Sequence, residues 1–321
     1  MAKRFNERVA IVTGSGRGIG RTVALLLAQE GAAVVVNDPG VAVDGSSSSE
    51  SPAEEVVNEI LSAGGKAIAN FDSVAEFAGA KRITDAAINE FGRLDILVNC
   101  AGVLRDRMVF NMTEEEWDTV LKVHLHGAFN MVRNAIIHMM PQKYGRIILF
   151  SSVSGLGASG QANYASAKEG MVGFTRAISG ELFPHGITVN AVYPGGATRM
   201  TQTVPQSTTS LRVDAEKQSG VSANPGSAAA DMILGLEGRP EMRKPENNAP
   251  KVAYLCSEPA GGITGQVIQT SGWDMSYLSA RHIVSAVHKD GFWTLDELED
   301  LLPFTLGAGV KNPAPPQEHK A

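Results

Sequence analysis

The sequence predicts an α/β protein built on a doubly wound parallel sheet in a single domain. Short apolar runs rich in Val, Ile and Leu alternate six times with longer segments of helical periodicity. Most of the runs are apolar throughout, as expected for strands covered by helices on both faces. Repeated strand–helix–strand units have right-handed crossovers and therefore produce a parallel sheet.

The alternation predicts the order of the elements. Strands are predicted at 9–13, 33–37, 66–71, 94–99, 146–151, 188–193 and 266–270. Helices are predicted near 18–30, 52–63, 75–91, 113–140, 162–182 and 248–257. Thr113-Glu114-Glu115-Glu116 forms a capping box, which marks the start of the fourth helix.

Three stretches depart from this alternation. Residues 39–51 include four consecutive serines and are predicted to form an exposed loop. Residues 201–248 are long, polar and weakly periodic, and we interpret them as a lid inserted into a domain that spans 1–277. Residues 278–321 form a C-terminal extension, with a second capping box at Thr294 and Glu297 and a Pro-rich end.

Composition excludes several classes of protein. The net charge is −6 and no basic run exceeds a pair, which argues against nucleic-acid and anionic-membrane partners. No apolar stretch approaches the roughly 20 residues that span a bilayer. Two cysteines, Cys100 and Cys256, are too few for a disulfide framework, and neither a signal peptide nor a peroxisomal address is recognised, so we expect a cytoplasmic location. The histidines lack the carboxylate spacing of a metal site, and we expect none.

A glycine-rich turn follows the first strand, with the sequence Thr13-Gly14-Ser15-Gly16-Arg17-Gly18-Ile19-Gly20. Gly14 suits a tight turn, Gly18 allows a pyrophosphate close to the backbone, and Gly20 allows the helix to pack on the strand. The helix N-terminus supplies N–H groups and a partial positive charge for phosphates. The turn alone is a weak signal, because a tight loop without a ligand has the same composition.

Asp38 strengthens the interpretation of the turn. It follows Gly20 by 18 residues, at the end of the second strand, where the Rossmann-type dinucleotide fold places an acid that binds the ribose hydroxyls. A carboxylate repels a ribose phosphate, and residues 39–43 carry no lysine or arginine, so NAD is favoured over NADP. The alternative is that Asp38 only forms an Asx turn before Pro39.

Tyr164 and Lys168 lie four residues apart on a predicted helix and therefore share one face. A free tyrosine has a pKa of about 10, and a nearby cation lowers it, which suits general acid/base chemistry. The alternative is a partly buried tyrosine covered by a lysine stem. The predicted strand before this helix ends in serines at the carboxyl edge of the sheet, where open α/β sheets bind ligands.

Together these segments resemble the short-chain dehydrogenase/reductase family over residues 5–275. The resemblance is carried by the glycine-rich turn, Asn99-Cys100-Ala101-Gly102, Ser152, Tyr164 with Lys168, and Pro194-Gly195. Within the family the sequence is most similar to the (3R)-hydroxyacyl-CoA dehydrogenase unit of peroxisomal multifunctional enzymes and to bacterial single-domain relatives. Segments 36–38, 70–74, 104–107, 123–127 and 160–164 carry that closer similarity.

The resemblance implies roles for individual residues. Tyr164 is the implied general acid/base, Lys168 lowers its pKa, and Ser152 orients the carbonyl. His124 stands where many members have an Asn that relays protons, and a satisfied core histidine is its alternative. The implied cofactor-binding residues are Gly14, Ser15, Arg17, Gly18, Ile19, Gly20, Asp38, Asp72, Ser73, Asn99, Ala101, Gly102, Val123, Tyr164, Lys168, Pro194, Gly195, Ala197 and Thr198.

The sequence also departs from the family. Cys100 replaces the second Asn of the usual Asn-Asn-Ala-Gly, and we interpret it as a small buried hydrophobic residue without a redox role. The loop before Tyr164 is one residue short. Alignment on the strand therefore selects Ser152, whereas counting back from Tyr164 selects Ser151, and we favour Ser152 because strand geometry fixes side-chain direction. Residues 201–248 are longer than in the relatives, which leaves substrate specificity open.

The resemblance implies an NAD-dependent oxidoreductase that interconverts a secondary alcohol and a ketone. A 3-hydroxyacyl-CoA thioester ranks first as substrate, a hydroxysteroid or steroid-CoA second, and a small secondary alcohol third. The alternatives are a 3-oxoacyl-carrier-protein reductase, which would normally need NADPH and a basic docking patch, and a non-catalytic nucleotide-binding regulator. The resemblance also implies a homodimer or homotetramer assembled through helices 113–140 and 162–182.

Overall fold

The computed structural model describes residues 3–46, 51–198, 200 and 240–309. Its strands are β1 (Val9–Thr13), β2 (Ala33–Asn37), β3 (Lys66–Asn70), β4 (Ile96–Asn99), β5 (Gly145–Phe150), β6 (Ile187–Tyr193), β7 (Val267–Gln269) and β8 (Ser276–Tyr277). Its helices are α1 (Gly18–Gln29), α2 (Pro52–Ser62), α3 (Phe77–Phe91), α4 (Glu114–Leu121), α5 (Gly127–Gln142), α6 (Ala162–Leu182), α7 (Ala249–Leu255) and α8 (Leu295–Leu301).

Within the described residues, eight strands form one sheet in the order β3-β2-β1-β4-β5-β6-β7-β8. All neighbours pair in parallel except β7 and β8, which are antiparallel. The order reverses between β1 and β4, because β2 lies on one side of β1 and β4 on the other. A crevice for ligands opens at such a reversal, beyond the carboxyl ends of the strands.

The core lies on both faces of the sheet. Val12 of β1 packs in one layer with Val23 of α1, whereas its neighbour Ile11 packs in the opposite layer with Ile83 of α3. These four side chains are all fully buried. Because successive strand residues point to opposite faces, a strand buried on both faces must be apolar throughout. The predicted doubly wound parallel α/β fold is therefore confirmed.

The predicted bounds agree closely with the structure for β1, β2 and α6. Two features were not predicted. The two-residue strand β8 has no sequence pattern of its own, and the predicted helix 113–140 is two helices, α4 and α5, joined by a π-helical turn at Lys122–His126. A π turn widens a single turn of a helix by one residue, which a linear pattern does not reveal, and such turns are frequent at functional sites.

The insertion and the extension are described only in part. Residues 201–239 of the predicted lid lie outside the described residues, and residues 240–248 form two short 3₁₀ turns that lead into α7. Most of the serine run and the Pro-rich end also lie outside. Both predicted capping boxes, at Thr113 and at Thr294, are present. The domain boundary at residue 277 stays a prediction.

Across the described part of the chain, no helix combines the length and apolarity needed to cross a membrane. Within the same residues, no three His, Cys, Asp or Glu side chains form a group that could hold a metal ion. Cys100 and Cys256 are both free thiols.

A buried carboxylate joins β1 to β4 at the edge of the sheet opposite the crevice. Asp95 is fully buried. Its Oδ1 accepts hydrogen bonds from Arg8 at 3.0 Å and Arg93 at 2.7 Å, and its Oδ2 accepts one from the Val9 N–H at 2.9 Å. Two guanidinium groups and one backbone donor thus compensate the desolvation of a single carboxylate.

We predict that Asp95→Ala lowers the free energy of unfolding by about 3 kcal/mol, because it leaves the Val9 N–H and the Arg93 guanidinium without their acceptor and Arg8 with only the exposed Glu258. Urea denaturation measures the change. The matched control is Asp85→Ala, which removes an exposed pair with Lys81 and should cost at most about 0.5 kcal/mol. Equal losses in the two variants would contradict the prediction.

Candidate active site

The glycine-rich turn lies at the carboxyl end of β1 and requires its glycines. Gly14 and Gly18 have positive φ values of 61° and 54°. A Cβ on Gly14 would lie 2.7 Å from the Ala101 Cα, and a Cβ on Gly20 would lie 2.3 Å from the Gly14 carbonyl oxygen. Arg17 at the N-cap of α1 makes no side-chain capping hydrogen bond, and the first turn of α1 has no acidic residue. A turn of this kind fits a pyrophosphate on the first N–H groups of the helix.

Asp38 contacts this turn directly. Its side chain is only 6% exposed. Its Oδ2 accepts a hydrogen bond from the Gly16 N–H at 3.0 Å, and its Oδ1 accepts one from the Gly40 N–H at 2.9 Å. The second bond is an Asx turn, which is the alternative interpretation of Asp38 from the sequence, and the ribose role stays a prediction. Backbone donors fix the carboxylate at the end of β2, where an acid can bind ribose hydroxyls.

Asp72 and Ser73 follow β3 at the same edge. The Asp72 carbonyl accepts a hydrogen bond from Asn37 Nδ2 at 2.9 Å, and its Oδ1 accepts one from Arg82 Nε at 2.7 Å. The Ser73 hydroxyl accepts a hydrogen bond from the Ala75 N–H at 3.2 Å. The two residues therefore lie beside the end of β2, as a role near the adenine end of a dinucleotide requires.

The turn after β4 is tied to β1 through one hydroxyl. Thr13 Oγ1 accepts hydrogen bonds from the N–H groups of Cys100 and Ala101, both at 3.1 Å, and donates to Asn99 Oδ1 at 3.1 Å. Asn99 Nδ2 is buried and has no hydrogen-bond partner among the described residues, so it is available to a ligand. Burial raises the pKa of the Cys100 thiol to about 12, and the thiol therefore stays protonated at neutral pH.

Ser152, Tyr164 and Lys168 come together where β5 meets α6. The Ser152 hydroxyl lies close enough to the Tyr164 hydroxyl to lower the pKa of that phenol. Lys168 Nζ lies 5.4 Å from the centroid of the Tyr164 ring and donates to the Phe150 carbonyl oxygen. Ser151 is buried, and its hydroxyl donates to the Lys168 carbonyl oxygen at 2.6 Å. The serine chosen by alignment on the strand, Ser152, is thus the one beside Tyr164.

The electrostatics of this group differ from the expectation drawn from the sequence. That expectation is that Lys168 lowers the pKa of Tyr164. Burial instead raises the pKa of Tyr164 to about 12, and the hydrogen bond from Ser152 opposes this only in part. Burial also lowers the pKa of Lys168 to about 8. Both side chains lie in a pocket that disfavours charge, and this desolvation is the largest cause of both pKa shifts.

His124 lies in the π-helical turn and is fully buried. Its Nε2 is 2.8 Å from the Val103 carbonyl oxygen, and its ring meets the Tyr164 ring edge-on, with centroids 5.1 Å apart. A Cβ on Gly102 would lie 2.4 Å from the imidazole, so this glycine makes room for the ring. Burial lowers the pKa of His124 well below its usual value, with the Lys168 charge as the second cause. The imidazole is therefore neutral, and any proton relay through His124 starts from the neutral ring.

The Pro194-Gly195 segment is held by a residue that the sequence analysis missed. Asn248 is fully buried. Its Nδ2 donates to the Gly195 carbonyl oxygen at 2.7 Å, and its Oδ1 accepts from the Gly195 N–H at 3.3 Å. A little further on, the Ala197 N–H donates to the Arg243 carbonyl oxygen at 2.6 Å, and Thr198 lies over Gly18 of the glycine-rich turn. An Asn at a predicted helix start was the available signal, because such amides often bind backbone groups.

Asn163 is a second residue that the sequence analysis missed. Its Nδ2 donates to the carbonyl oxygens of Arg105 and Glu116, both at 3.0 Å. Its Oδ1 accepts from the Tyr164 N–H at 2.7 Å. It thereby fixes the loop after β4 and the first turn of α4 on the first turn of α6, next to Tyr164.

Three predicted cofactor residues turn their side chains into the protein. Ser15 is fully buried and donates to the Val12 carbonyl oxygen at 2.6 Å. Ile19 packs against the core on the α1 side of the sheet, and Val123 packs with Val103. Ser15 can therefore contact a ligand only through its backbone, whereas Ile19 and Val123 are partly exposed.

Comparison with known proteins agrees with this geometry. The short chain dehydrogenase family matches residues 8–209. A short-chain type dehydrogenase/reductase of Mycobacterium tuberculosis is 43% identical over 253 residues, which cover 78% of each chain. The crystal structure of a short chain dehydrogenase from Mycobacterium avium has a TM-score of 0.75 and 36% identity, and covers 98% of this chain and 97% of that chain.

Longer proteins also contain this chain's counterpart. Peroxisomal multifunctional enzyme type 2 of Mus musculus is 40% identical over 271 residues, which is 84% of this chain but only 32% of the mouse protein. The chain therefore spans about a third of the length of this relative.

We predict that Lys168→Met stabilises the ligand-free protein near neutral pH. Between its folded pKa of about 8 and its ordinary value of 10.5, Lys168 binds fewer protons in the folded than in the unfolded chain. Stability therefore rises with pH across that window, and below it the buried ammonium costs stability. The variant should gain about 2 kcal/mol at pH 7, and the gain should shrink toward pH 10. Urea titrations at several pH values measure it, with the exposed Lys66→Met as control. A gain that is independent of pH would contradict the prediction.

Proposed function

The chain belongs to the short-chain dehydrogenase family, oxidoreductases acting on CH–OH groups, and from that membership we propose that it interconverts a secondary alcohol and a ketone with NAD. The observation that carries the proposal is the grouping of Ser152 beside Tyr164, with Lys168 Nζ 5.4 Å from the centroid of the Tyr164 ring. This group shares the carboxyl edge of the sheet with the glycine-rich turn, so one crevice can hold both a coenzyme and a substrate.

Each catalytic side chain has a task that its surroundings support. A nicotinamide, when bound, supplies the hydride acceptor or donor. Tyr164 exchanges the proton of the substrate hydroxyl, and Ser152 donates a hydrogen bond to the carbonyl oxygen. The Lys168 ammonium group stabilises the Tyr164 phenolate as it forms. This stabilisation is needed because burial disfavours the negative charge on Tyr164. His124 is neutral and serves as a proton relay next to Tyr164.

The proposed substrate is a 3-hydroxyacyl-CoA thioester. Two findings support it: the similarity to peroxisomal multifunctional enzyme type 2, and the segments of this sequence that resemble its dehydrogenase unit. A hydroxysteroid and a small secondary alcohol follow in that order. The predicted lid, which would select among them, lies largely outside the described residues.

Asp38 supports NAD as the coenzyme. Its carboxylate is fixed by two backbone N–H groups at the end of β2. A ribose phosphate placed against it would meet a like charge in a largely buried position. A ribose with free hydroxyls would instead donate hydrogen bonds to it.

We further propose a homodimer or homotetramer that uses α5 and α6. Phe129 of α5 is 49% exposed, and its ring lies 6.5 Å from Phe77 and 6.4 Å from Phe174 between centroids. Beside these rings is a cavity of about 480 Å³ lined by Leu125, His126, Phe129, Asn130 and Phe174. An exposed aromatic cluster with an adjoining hollow suits a self-complementary interface.

A cytoplasmic location is retained as part of the proposal. The mouse relative is named a peroxisomal enzyme. Its similarity to this chain makes the peroxisome the alternative location. Fractionation of cells that express the full chain distinguishes the two. Recovery with peroxisomal markers would overturn the cytoplasmic assignment.

We predict that one enantiomer of a 3-hydroxyacyl-CoA dominates a panel that also contains hydroxysteroids and simple secondary alcohols. NADH formation measures turnover. Tyr164→Phe should lower kcat by about a thousandfold while dinucleotide binding persists. Ser152→Ala should lose about a hundredfold, and the matched variant Ser151→Ala much less. Turnover of steroids alone would overturn the substrate class. A wild-type protein that binds the dinucleotide without any turnover would support the alternative function, a non-catalytic nucleotide-binding regulator.

We predict that NADH binds at least about tenfold more tightly than NADPH in a fluorescence titration. Asp38→Asn keeps the hydrogen-bonding shape but removes the charge, so the preference should fall toward unity. Tighter binding of NADPH to the wild type would show that the coenzyme assignment is wrong.

We predict that light scattering at micromolar concentration gives the mass of a dimer or tetramer. Phe129→Asp should yield monomers, because it places a charge within the aromatic cluster. Ile137→Asp, on the same helix and 46% exposed, tests how far the interface extends. A monomeric wild-type protein would contradict the proposed assembly.

A further inference from the structure

The Lys251 side chain lies among backbone carbonyl oxygens of the segment that follows β7. Its Nζ donates to the carbonyl oxygens of Gly272 and Asp274, both at 2.7 Å, and of Thr270 at 3.1 Å. The Ser271 carbonyl oxygen is 3.5 Å away. Four successive or nearly successive carbonyl groups thus converge on one ammonium group at the end of the sheet.

Carbonyl oxygens that converge in this way are the ligands with which proteins replace the hydration shell of potassium. An ammonium group has a similar size and the same charge, but it has only three N–H donors. Burial lowers the pKa of Lys251, and the nearby Asp274 charge opposes that shift. The carbonyl oxygens, at 2.7–3.1 Å, are therefore the groups that compensate the desolvated cation.

The segment after β7 packs directly against Pro194-Gly195. A Cβ on Gly195 would lie 2.0 Å from Ser271 Oγ, which shows how closely the two segments pack. The Thr270 hydroxyl donates to Asn248 Oδ1 at 2.8 Å, and Asn248 Nδ2 donates to the Gly195 carbonyl oxygen at 2.7 Å. Asn248 and Lys251 stand three residues apart at the start of α7. One helix start therefore holds both segments.

We infer that residues 270–274 form a site for a monovalent cation whose resident cation is the Lys251 ammonium group. Lys251 is a positioning residue: it fixes this segment and, through Thr270, Ser271 and Asn248, the Pro194-Gly195 segment. The cation part of the inference stands on the carbonyl geometry alone. The coupling to ligand binding rests on the proposed function, in which Gly195 lies beside the coenzyme.

The test compares Lys251→Ala with Lys251→Met. The alanine variant leaves a cavity lined by carbonyl oxygens. The methionine variant fills that cavity with an apolar side chain that cannot replace the charge. Both variants and the wild type are melted in choline, potassium and ammonium chloride at equal ionic strength, so that general screening is the same. Binding of NADH and of NADPH is titrated in the same three salts, so the result does not depend on which coenzyme is preferred.

We expect Lys251→Ala to lose about 4 °C of melting temperature in choline chloride and to regain most of it in potassium or ammonium chloride. Its affinity for the preferred dinucleotide should fall about tenfold in choline and recover with the same cations. Lys251→Met should be destabilised in all three salts without recovery. The wild type should respond equally to the three salts, because its site is filled.

Three outcomes decide the inference. If the alanine and methionine variants behave alike in every salt, the resident-cation role is wrong and Lys251 acts as a packing stem. If melting follows the cation but dinucleotide affinity does not, the coupling to Gly195 is wrong. If melting follows the cation and no protein, including the wild type, binds either dinucleotide, the proposed function fails while the cation site stands.

Discussion

The contact between the turn after β1 and the turn after β4 is the interaction on which the rest of the site depends. Thr13 Oγ1 binds the N–H groups of Cys100 and Ala101, and the Gly14 Cα approaches Ala101 so closely that a side chain is excluded. Backbone meets backbone at the point where the strand order reverses. Helices α1 and α5 pack on opposite faces of the sheet, so the crevice between the two turns stays open at the carboxyl edge.

Burial sets the electrostatics of the crevice. The Tyr164 phenol and the His124 imidazole are neutral at neutral pH because their surroundings disfavour charge. Burial also lowers the pKa of the Lys168 ammonium group. Such an arrangement costs stability in the resting protein. In the proposed reaction, the same pocket would respond strongly to charge that develops on Tyr164, because fixed donors act more strongly where water is excluded.

Side chains at the starts of helices give the surrounding loops their shape. Asn163 at the start of α6 binds the carbonyl oxygens of Arg105 and Glu116, and Asn248 at the start of α7 binds Gly195. Lys251, one turn later, binds the segment after β7. Each of these side chains satisfies carbonyl groups of a distant segment with hydrogen bonds that regular structure does not supply. The loops at the carboxyl edge are therefore built to a defined shape by the rigid elements that flank them.

Sequence patterns alone predicted the parallel sheet, the bounds of β1, β2 and α6, the glycine-rich turn, the capping box at Thr113 and the pairing of Tyr164 with Lys168. These features depend on periodicity and on residues within one or two turns of each other, which a linear pattern records. The folded structure was needed to show which serine lies beside Tyr164, that His124 lies in a π-helical turn, and that burial is the largest cause of the raised pKa of Tyr164. It alone revealed Asn248, whose partner Gly195 is 53 residues away. Such contacts depend on where separate segments meet in the folded chain and on how much water remains there, and neither quantity is written in local sequence.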